Sequence, residues 1–289
     1  MLLSIITQGK NDDYCGNFKQ RLEHNVNKLI DNIDKLGLES EVEIIIVDWG
    51  SEPVKLSEIL NIEHRSFVKF LYVPSNITIR FQGFSIPHTQ NAGFRRGTGK
   101  YSMLLEGDSY IDFYSFKNLI DMLSKNPSNI FYWGSRYHLP YEVHSSAKTF
   151  NDLDKSISDW IDGGRQMPSN GFEFSWYHAK VNLSSSFGGG GTALLVSKNV
   201  YEECTGQYEI LTKWGWSDVE IHNRLSTVYP CNGDLEDLGI IFYTQLHHHD
   251  GFGGTVHGMN AHHTSVNFRA NDDNWGLINE KEIILYSYE

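Results

Sequence analysis

Over the first 125 residues, short apolar runs alternate with longer segments whose apolar residues recur every three or four positions. The apolar runs have the length of strands and lie at 2–7, 42–47, 68–73 and 101–105. The periodic segments predict helices at 18–36, 56–60, 86–96 and 114–124, with Gly37 as the C-cap of the first. Continuous apolar strands joined by helical crossovers form parallel sheets that are buried on both faces. The pattern therefore predicts an α/β fold with a mostly parallel central sheet and helices on both faces.

The remainder of the chain is less regular. Strands are predicted at 130–133, 192–196 and 240–246, whereas 145–183 mixes short helical pieces with Gly, Pro and aromatic residues. We divide one domain into two functional halves. Residues 1–125 form the regular α/β half, and residues 126–289 form a second half of the same domain that includes a His/Gly-rich loop.

Charge and cysteine content narrow the class of protein. The chain has 24 basic and 36 acidic residues, a formal net charge of -12, which argues against a general nucleic-acid binder or a binder of anionic membranes. Its three cysteines are far apart in sequence, which favours a reducing compartment and hence the cytoplasm. No run has the length of a transmembrane helix, so any membrane contact is expected to be peripheral.

Polar side chains are predicted where the strands of the first half end. Thr7 and Asp48 close the first two apolar runs, and Glu106 and Asp108 follow the fourth. Ligands of parallel sheets bind beyond the carboxyl ends of the strands. Two acids one residue apart repel each other, and hard cations such as Mg²⁺ and Mn²⁺ suit carboxylate oxygen. The alternative is an ordinary acidic turn after a buried strand.

A second candidate segment runs from 213 to 225, KWGWSDVEIHNRL. Ser217 with Glu220 three residues later forms a capping box that predicts a helix start, and Asp218 falls in the first turn. An acid at this position favours the helix dipole and needs no function. The alternative is a general base, a carboxylate held rigidly beside Trp214 and Trp216. The spacing alone favours the helix-dipole interpretation.

A histidine cluster suggests a metal site. Six of the thirteen histidines lie between 247 and 263, and 247–249 directly follow a predicted strand. Alternate side chains after a strand point the same way, and neutral imidazole is a common metal ligand, so the cluster is a candidate metal site. The glycines at 251, 253, 254 and 258 predict a mobile loop that closes over a substrate. For the histidines at 257, 262 and 263 a solvated loop is an equal alternative.

Three segments, in this order, resemble the GT-A glycosyltransferases, with a family-2-type N-terminal half and the C-terminal motif of the β-1,4-galactosyltransferases. VDWGS at 47–51 is similar to the turn after the second strand of that family. NAGFRRGTGKYSMLLEGD at 91–108 is similar to its N-x-G helix, G-x-Y strand and D-x-D motif. The block at 187–225 resembles the stretch from the Gly-rich strand to "GWGGEDDDIYNRL". Together the segments cover about half of the chain.

The resemblance implies a GT-A, Rossmann-like fold, a nucleotide-diphosphate-sugar donor and Mn²⁺ or Mg²⁺. It also implies that the half at 1–125 binds the nucleotide sugar and that the half at 126–289, with its mobile loop, binds the acceptor and carries catalysis. It implies roles for a set of residues: donor contacts by Thr7, Asp48, Asn91, Glu106, Asp108, Gly189 and Gly190; metal ligation by Asp108 with His247 or His249; catalysis by Asp218; and acceptor contacts by Trp214, Trp216 and Glu220. The chain departs from the family pattern where Glu106 replaces an Asp and where Val219 replaces an Asp that binds the acceptor.

The activity that follows is an inverting, metal-dependent transfer of a hexose or N-acetylhexosamine. Galactose is the favoured sugar and UDP the favoured carrier, and the acceptor hydroxyl belongs to a saccharide or lipid-linked saccharide, as in polysaccharide biosynthesis. Two alternatives stay open. One is a sugar nucleotidyltransferase on the same sheet, although 7–13 holds only Gly9 and Lys10 of the basic Gly-rich loop such enzymes use. The other is a sugar-binding protein that keeps the fold without catalysis.

Overall fold

The computed structural model describes residues 1–12, 16–81, 83–164, 180–181, 193–212, 215, 217–245 and 267–287. Six residues with predicted roles therefore lie outside the described residues: Gly189, Gly190, Trp214, Trp216, His247 and His249. The predicted mobile loop lies outside them as well. The statements below concern the described part of the chain.

The first half alternates strands and helices as its sequence pattern predicts. Its strands are β1 (Leu3–Gly9), β2 (Val42–Trp49), β3 (Val68–Val73), β4 (Tyr101–Leu105) and β5 (Ser109–Ile111). Its helices are α1 (Phe18–Leu36), α2 (Leu56–Ile59), α3 (Ser75–Thr78), α4 (Ile86–Arg96) and α5 (Phe113–Leu123). Gly37 caps α1 in the left-handed conformation, with φ 65°.

The second half is built from shorter elements. Its strands are β6 (Phe131–Gly134), β7 (Arg136–Leu139), β8 (Lys180–Val181), β9 (Ala193–Ser197), β10 (Phe242–Gln245) and β11 (Ile284–Ser287). Its α-helices are α6 (Tyr141–His144), α7 (Phe150–Asp162), α8 (Lys198–Glu203) and α9 (Ser217–Leu225), and short 3₁₀ helices lie at Leu235–Leu238 and Trp275–Leu277.

A seven-stranded sheet forms the centre, in the order β11-β3-β2-β1-β4-β9-β6. The pairs β3–β2, β2–β1 and β1–β4 are parallel, whereas β9 and β11 are antiparallel to their neighbours. Five strands consequently run in one direction, as expected, and both halves of the chain contribute strands. A second, four-stranded sheet has the order β5-β10-β7-β8.

Helices cover both faces of the central sheet, which confirms the predicted α/β class. On one face α1 and α5 bury apolar side chains such as Leu22 and Leu119 against the strands. On the other face α4, α8 and α9 do the same, for example through Phe94 and Ile221. No helix of the described residues is both long enough and apolar enough to cross a bilayer.

One glycine explains how closely α4 approaches the sheet. A Cβ atom added to Gly93 would lie 2.5 Å from a methyl group of Ile6 and 3.0 Å from one of Val47. No side chain fits there, so the glycine of the N-x-G pattern sets the helix–sheet spacing. Asn91, two residues earlier, is thereby held over the loop that precedes α9.

Candidate active site at the carboxyl edge of the sheet

The acids of the first half meet at one edge of the central sheet. β2, β1 and β4 are parallel neighbours, and Gly9 at the end of β1 pairs with Asp48 near the end of β2. Glu106 and Asp108 follow the end of β4 on the other side of β1. The predicted convergence of Asp48 with the acidic turn at the carboxyl ends of the strands is therefore present in the fold.

The acidic turn at 106–108 is fixed against β1 and β10 through its backbone. A Cβ atom added to Gly107 would lie 2.6 Å from the carbonyl oxygen of Gln8, so only glycine lets the turn approach so closely. The Asp108 carbonyl accepts a hydrogen bond from the Gln245 amide at 3.1 Å. Asn25 Nδ2 donates to the Glu106 carbonyl at 3.4 Å. The two carboxylates are thus carried on a backbone that three separate elements hold in place.

The partner of the Glu106 carboxylate is Arg136, the first residue of β7. Arg136 Nη1 donates to Glu106 Oε2 at 2.9 Å, and the side chains are 19% and 33% exposed. The sequence predicts a divalent metal ion at this turn, and the structure places a guanidinium beside Glu106. Sequence reasoning missed Arg136 because a single arginine in a four-residue strand carries no motif. The one signal that could have found it is that the acids at this edge need a counter-charge.

Asp218 lies in the first turn of α9, as predicted, and is half-buried. Its Oδ1 accepts a hydrogen bond from the Val219 amide at 2.8 Å. Burial raises the pKa of the Asp218 carboxyl, and the hydrogen bond and the positive charge of Arg136 oppose that rise. A carboxylate with a raised pKa is a stronger base than an exposed one and so suits proton abstraction.

Asp48 holds the connection between β2 and α2. Its Oδ1 accepts from the Ser51 amide at 3.1 Å and its Oδ2 accepts from the Leu56 amide at 2.8 Å. The residue is fully buried, and burial raises the pKa of its carboxyl against these hydrogen bonds. The structure thus gives Asp48 a local role at the end of β2, at the position where a donor contact is predicted.

Two polar side chains near the end of β1 have buried atoms without hydrogen-bond partners among the described residues. They are Thr7 Oγ1 and Gln8 Oε1. Thr7 is fully buried and lies two residues before the end of the strand, opposite Ile46. Buried polar atoms in folded proteins are nearly always paired. A polar ligand or an ordered water at this edge would supply the missing partners.

Asn91 is fully engaged by the protein itself. Its Nδ2 donates to the Gln207 carbonyl at 2.9 Å and to Glu209 Oε1 at 3.0 Å. Its Oδ1 accepts from Tyr201 Oη at 2.8 Å and from the Gln207 amide at 2.9 Å. An asparagine side chain offers two donor hydrogens and two acceptor lone pairs, and all four are used. Asn91 therefore ties α4 to the segment before α9, and this arrangement leaves it no group for a donor sugar.

Glu220 also has a structural position. It is 1% exposed, and its two oxygens accept from Arg224 Nε at 2.7 Å and Nη2 at 2.9 Å. Arg224 in turn donates to the carbonyls of Cys204, Gly206 and Phe268. Ser217, predicted as the capping residue, is the first residue of α9 in the structure. The acid predicted to contact an acceptor is thus buried in an ion pair that fastens α9 to neighbouring loops.

Among the described residues, no group of three or more His, Cys, Asp or Glu side chains is arranged to hold a metal ion. Asp108 is half-buried and belongs to the described part, whereas both predicted histidine ligands lie outside it. The Gln245 amide that contacts the Asp108 carbonyl belongs to the last described residue of β10. His247 and His249 follow it by two and four positions in sequence.

No protein-family model matches this sequence, and no curated protein matches it. Solved structures that resemble the chain include residues 1–349 of S. aureus TarS, with 13% identity and a TM-score of 0.47 over 85% of this chain and 60% of that one. The same TarS region in complex with UDP has 13% identity and a TM-score of 0.49 over 85% and 61% of the two chains. The UDP-GlcNAc complex has 12% identity and a TM-score of 0.48 over 86% and 60%.

This chain thus spans about 60% of the length of those TarS structures. UDP and UDP-GlcNAc are ligands of TarS in the structures that contain them. Because the identities and TM-scores are low, the function of this chain has to be argued from its own residues.

Proposed function

We propose that this protein is an inverting glycosyltransferase of the GT-A type that uses a UDP-linked hexose or N-acetylhexosamine. The observation that carries the proposal is the meeting of two motifs that are more than 100 residues apart in sequence. Arg136 pairs with Glu106 of the acidic turn and acts electrostatically on Asp218 at the start of α9. The acidic turn after β4 and a half-buried carboxylate with a raised pKa are thus both influenced by one guanidinium, which supports a site that brings a donor and a general base together.

In the proposed reaction Asp218 is the general base. Its carboxylate accepts the proton of an acceptor hydroxyl while that oxygen forms a bond to the anomeric carbon. The bond from the anomeric carbon to the phosphate oxygen breaks, and its electron pair leaves with the nucleoside diphosphate. Attack from the face opposite to the leaving group inverts the anomeric configuration. Burial raises the pKa of the Asp218 carboxyl and so makes it a stronger base, and the positive charge of Arg136 opposes that rise.

The donor is proposed to lie along the carboxyl ends of β1, β2 and β4. Thr7 Oγ1 and Gln8 Oε1 supply hydrogen-bonding groups that the described protein leaves unused. Asp48 lies beside them at the end of β2, where the resemblance implies contact with the base or ribose. Gly189 and Gly190 are proposed to contact the donor sugar, for which galactose remains the favoured identity.

A divalent cation fits the half-buried oxygen ligand Asp108. Mn²⁺ or Mg²⁺ prefers carboxylate oxygen. The amide of Gln245, two residues before His247 in sequence, donates a hydrogen bond to the Asp108 carbonyl. Asp108 with His247 or His249 would hold the ion. When bound, the ion would neutralise negative charge on the diphosphate.

The acceptor is proposed to be a saccharide or lipid-linked saccharide that Trp214 and Trp216 frame, as in the assembly of a polysaccharide. We place the reaction in the cytoplasm. Of the three cysteines, Cys204 and Cys231 are described, and both are free thiols, as a reducing compartment permits.

The test is donor binding and turnover by the purified chain. Thermal unfolding is followed with UDP, UDP-galactose, UDP-GlcNAc and GDP, each with Mn²⁺ and with a chelator, because a ligand of the native state raises the unfolding temperature by mass action. We expect a shift with UDP and Mn²⁺ that Asp108→Ala abolishes. The matched variant Asp121→Ala, on the exposed side of α5, should keep it.

Turnover then separates the rival activities. A glycosyltransferase releases UDP and, in NMR, a sugar product of inverted anomeric configuration. Release of pyrophosphate from UTP and a sugar phosphate would instead assign a nucleotidyltransferase. Binding of the donor with neither transfer nor slow hydrolysis would assign a sugar-binding protein, and an unchanged unfolding temperature with every nucleotide would remove the basis of the proposal.

A further inference from the structure

Helix α9 has a buried face and an accessible face. Its buried residues are Ser217, Glu220, Ile221, Arg224 and Leu225. The accessible face carries Asp218 and His222, and both side chains are half-buried. Residues four apart on a helix are neighbours, with about 5–6 Å between their Cβ atoms. The proposed base and an imidazole therefore lie side by side on the face of α9 that solvent reaches.

Two aromatic rings of β6 hold the imidazole of His222. Its ring centroid lies 5.6 Å from that of Trp133 and 6.0 Å from that of Phe131, with interplanar angles of 52° and 71°. Tilted and edge-on contacts at such distances are favourable between aromatic rings. Phe131 is fully buried and Trp133 is 4% exposed. The orientation of His222 is thus set by groups that belong to the core.

Strand register places His222 beside the carboxyl edge of the sheet. Leu194 of β9 pairs with Leu104 of β4 on one side and with Trp133 of β6 on the other. Leu104 is two residues before Glu106, so Trp133 lies in a row that ends just before the acidic turn. The two strand spacings between β4 and β6 amount to about 10 Å. His222, which packs on Trp133, is consequently near the edge where the donor is proposed to bind.

The direction of α9 places Asp218 closer to that edge than His222. β6 is parallel to β4, because both are antiparallel to β9. After α9 the chain returns to the first residue of β6, where the Asn232 amide donates to the Phe131 carbonyl at 3.0 Å. The C-terminal end of α9 is thus directed to the amino end of β6. Its first turn, with Asp218, is directed to the carboxyl edge, and His222 lies one turn below.

The chemistry of His222 suits an uncharged hydroxyl group. Burial lowers the pKa of this imidazole, and the side chain of Asn223 acts in the opposite direction, so the ring is neutral at pH 7. A neutral imidazole offers one donor and one acceptor, as a hydroxyl group does. Beside it, Trp133 Nε1 is buried and has no hydrogen-bond partner among the described residues. Neither group supplies the positive charge that a carboxylate or a phosphate needs.

We propose that His222 is an acceptor-binding residue, which forms a hydrogen bond with a second hydroxyl of an uncharged saccharide whose reacting hydroxyl lies at Asp218. This role rests on the proposed function and narrows its acceptor to saccharides that carry no charge next to the reacting hydroxyl. Trp133 and Phe131 fix the imidazole from the side of the sheet, so that its ring is positioned before the acceptor arrives.

The first measurement follows the imidazole signals of His222 by NMR in ¹⁵N-labelled protein, with His222→Phe identifying them. Methyl glycosides of galactose, glucose and GlcNAc are titrated in the presence of UDP and Mg²⁺, with methyl glucuronide and glucose 6-phosphate as charged comparisons. We expect a saturable shift with a neutral glycoside and weaker binding of both charged compounds. No shift with any neutral glycoside, or equal affinity for the charged compounds, would overturn the assignment.

The second measurement is the kinetics of transfer to the same glycosides. His222→Phe keeps an aromatic ring on Trp133 but removes both hydrogen-bonding nitrogens. The KM for the acceptor should rise about 10-fold, as expected for one lost hydrogen bond, whereas the KM for the donor and the slow hydrolysis of the donor stay unchanged. His222→Gln, which restores a donor and an acceptor, should recover part of the loss. His64→Phe, an exposed histidine before β3 at the opposite edge, is the control and should leave every constant unchanged.

Deoxygenated acceptors then separate contact from packing. The glycoside that lacks the hydroxyl bound by His222 should react equally well with the parent and with His222→Phe. A loss in His222→Phe that is the same for every deoxygenated glycoside would assign His222 to packing and overturn the proposed contact. A parent protein that neither transfers nor hydrolyses a UDP-sugar would instead contradict the transferase function, and the NMR titration would still decide whether His222 contacts a saccharide.

Discussion

Strand β2 carries two fully buried acids, Glu43 near its amino end and Asp48 near its carboxyl end. The pKa values of the two carboxyls are shifted in opposite directions. Glu43 accepts hydrogen bonds from Ser4 Oγ, Lys69 Nζ and both the amide and hydroxyl of Thr98, at 2.6–2.8 Å. Although burial opposes it, these contacts lower the pKa of Glu43. At Asp48, burial raises the pKa and outweighs the hydrogen bonds from the Ser51 side chain and from the Ser51 and Leu56 amides, together with the charge of Lys55.

The difference distinguishes the two edges of the sheet. At the amino edge, the polar groups around Glu43 bond to one another, and Ser4 Oγ also accepts a hydrogen bond from the Gly99 amide at 2.8 Å. At the carboxyl edge, Asp48 and Asp218 have raised pKa values, and Thr7 has an unpaired buried hydroxyl among the described residues. Perturbed acids and unused polar atoms concentrate where proteins bind ligands. The comparison predicts that substitutions at the amino edge cost stability and substitutions at the carboxyl edge cost function.

The largest effect is expected for Asp218→Asn. Asparagine keeps the shape but cannot accept the proton of the acceptor, so transfer should fall by about 10²–10⁴-fold. Stability should stay equal or increase, because a buried charge with a raised pKa is removed. Initial transfer rates and urea unfolding on the same preparation check both.

The matched control for Asp218→Asn is Asp112→Asn. Asp112 caps α5 by accepting from the Ser115 amide at 2.9 Å, and asparagine caps equally well. Transfer and stability should both hold in this variant. If Asp218→Asn transfers sugar at the parent rate, Asp218 only favours the helix dipole and the proposed mechanism is wrong.

Next in size is Glu220→Gln, which should cost stability rather than chemistry. The variant leaves the buried Arg224 without its charged partner, and breaking such a pair lowers the free energy of unfolding by about 3–5 kcal/mol. Donor affinity of the folded fraction should remain. Urea unfolding measures the loss, and Asp273→Asn, which breaks the exposed pair with Arg269, should leave the unfolding curve unchanged.

Glu220 also tests the limits of the comparison, because it lies on α9 beside the proposed base. A variant that unfolds as the parent does but no longer transfers sugar would place Glu220 among the acceptor contacts. That result would restore the role implied by the sequence motif and contradict the structural role that its ion pair assigns.

At the amino edge, Glu43 should make the free energy of unfolding depend on pH. The folded-state pKa of Glu43 is lowered, so its contribution is fully present above the unfolded-state pKa and is lost as pH falls through the folded-state pKa. Glu43→Gln should lose about 1–3 kcal/mol at pH 7 and should show a weaker acid destabilisation than the parent. Urea unfolding between pH 3 and pH 7 provides both values.

At Asp48 the contribution of the carboxyl to the free energy of unfolding has the opposite sign. Its raised folded-state pKa imposes a stability cost above that pKa, and the cost disappears as pH falls below the unfolded-state value. Asp48→Asn should therefore make the acid destabilisation steeper, because a compensating gain is removed. The same pH slope in Glu43→Gln and Asp48→Asn would refute the contrast between the two edges.

The smallest effect is expected for Thr7→Val. This nearly isosteric change removes a buried hydroxyl that has no partner among the described residues, so stability should rise by up to about 1 kcal/mol. The KM for the donor should increase, since the hydroxyl is proposed to contact it. Ser4→Ala on the same strand is the opposite case, and should lower stability without changing the KM. An unchanged KM in Thr7→Val would remove Thr7 from the donor site.

Much of the fold could be predicted because the spacing of apolar residues differs between strands and helices. The spacing of Leu22, Val26, Leu29 and Ile33 with Gly37 beyond them predicted a helix whose bounds are those of α1, Phe18–Leu36. The bounds of strands β3 and β4 also equal those predicted from the apolar runs at 68–73 and 101–105. α7 was missed, although Thr149 and Asp152 form a capping box and Leu153, Ile157 and Trp160 supply its buried face. The glycine and aromatic residues of the segment at 145–183 obscured these signals.

The candidate site was predictable only where its residues belong to ordered motifs. Asp48, Glu106 and Asp108 close or follow apolar runs of strand length, so their common edge could be inferred from the alternation of strands and helices. Asn91 and Glu220 carried motif positions, but their hydrogen bonds join them to the fold. Motif matching assigns a residue type to a position, whereas the partner of that residue depends on which segments pack against it.

The amino-acid sequence by itself determined where strands and helices form, because backbone period, glycine caps and apolar spacing act between residues close in sequence. It also determined that acids follow the strands of the first half. Only the tertiary structure decided that β9 and β11 run antiparallel within the sheet and that Arg136 pairs with Glu106. Those pairings join segments up to about 200 residues apart, and their free energy exists only once the chain has closed the loops between them.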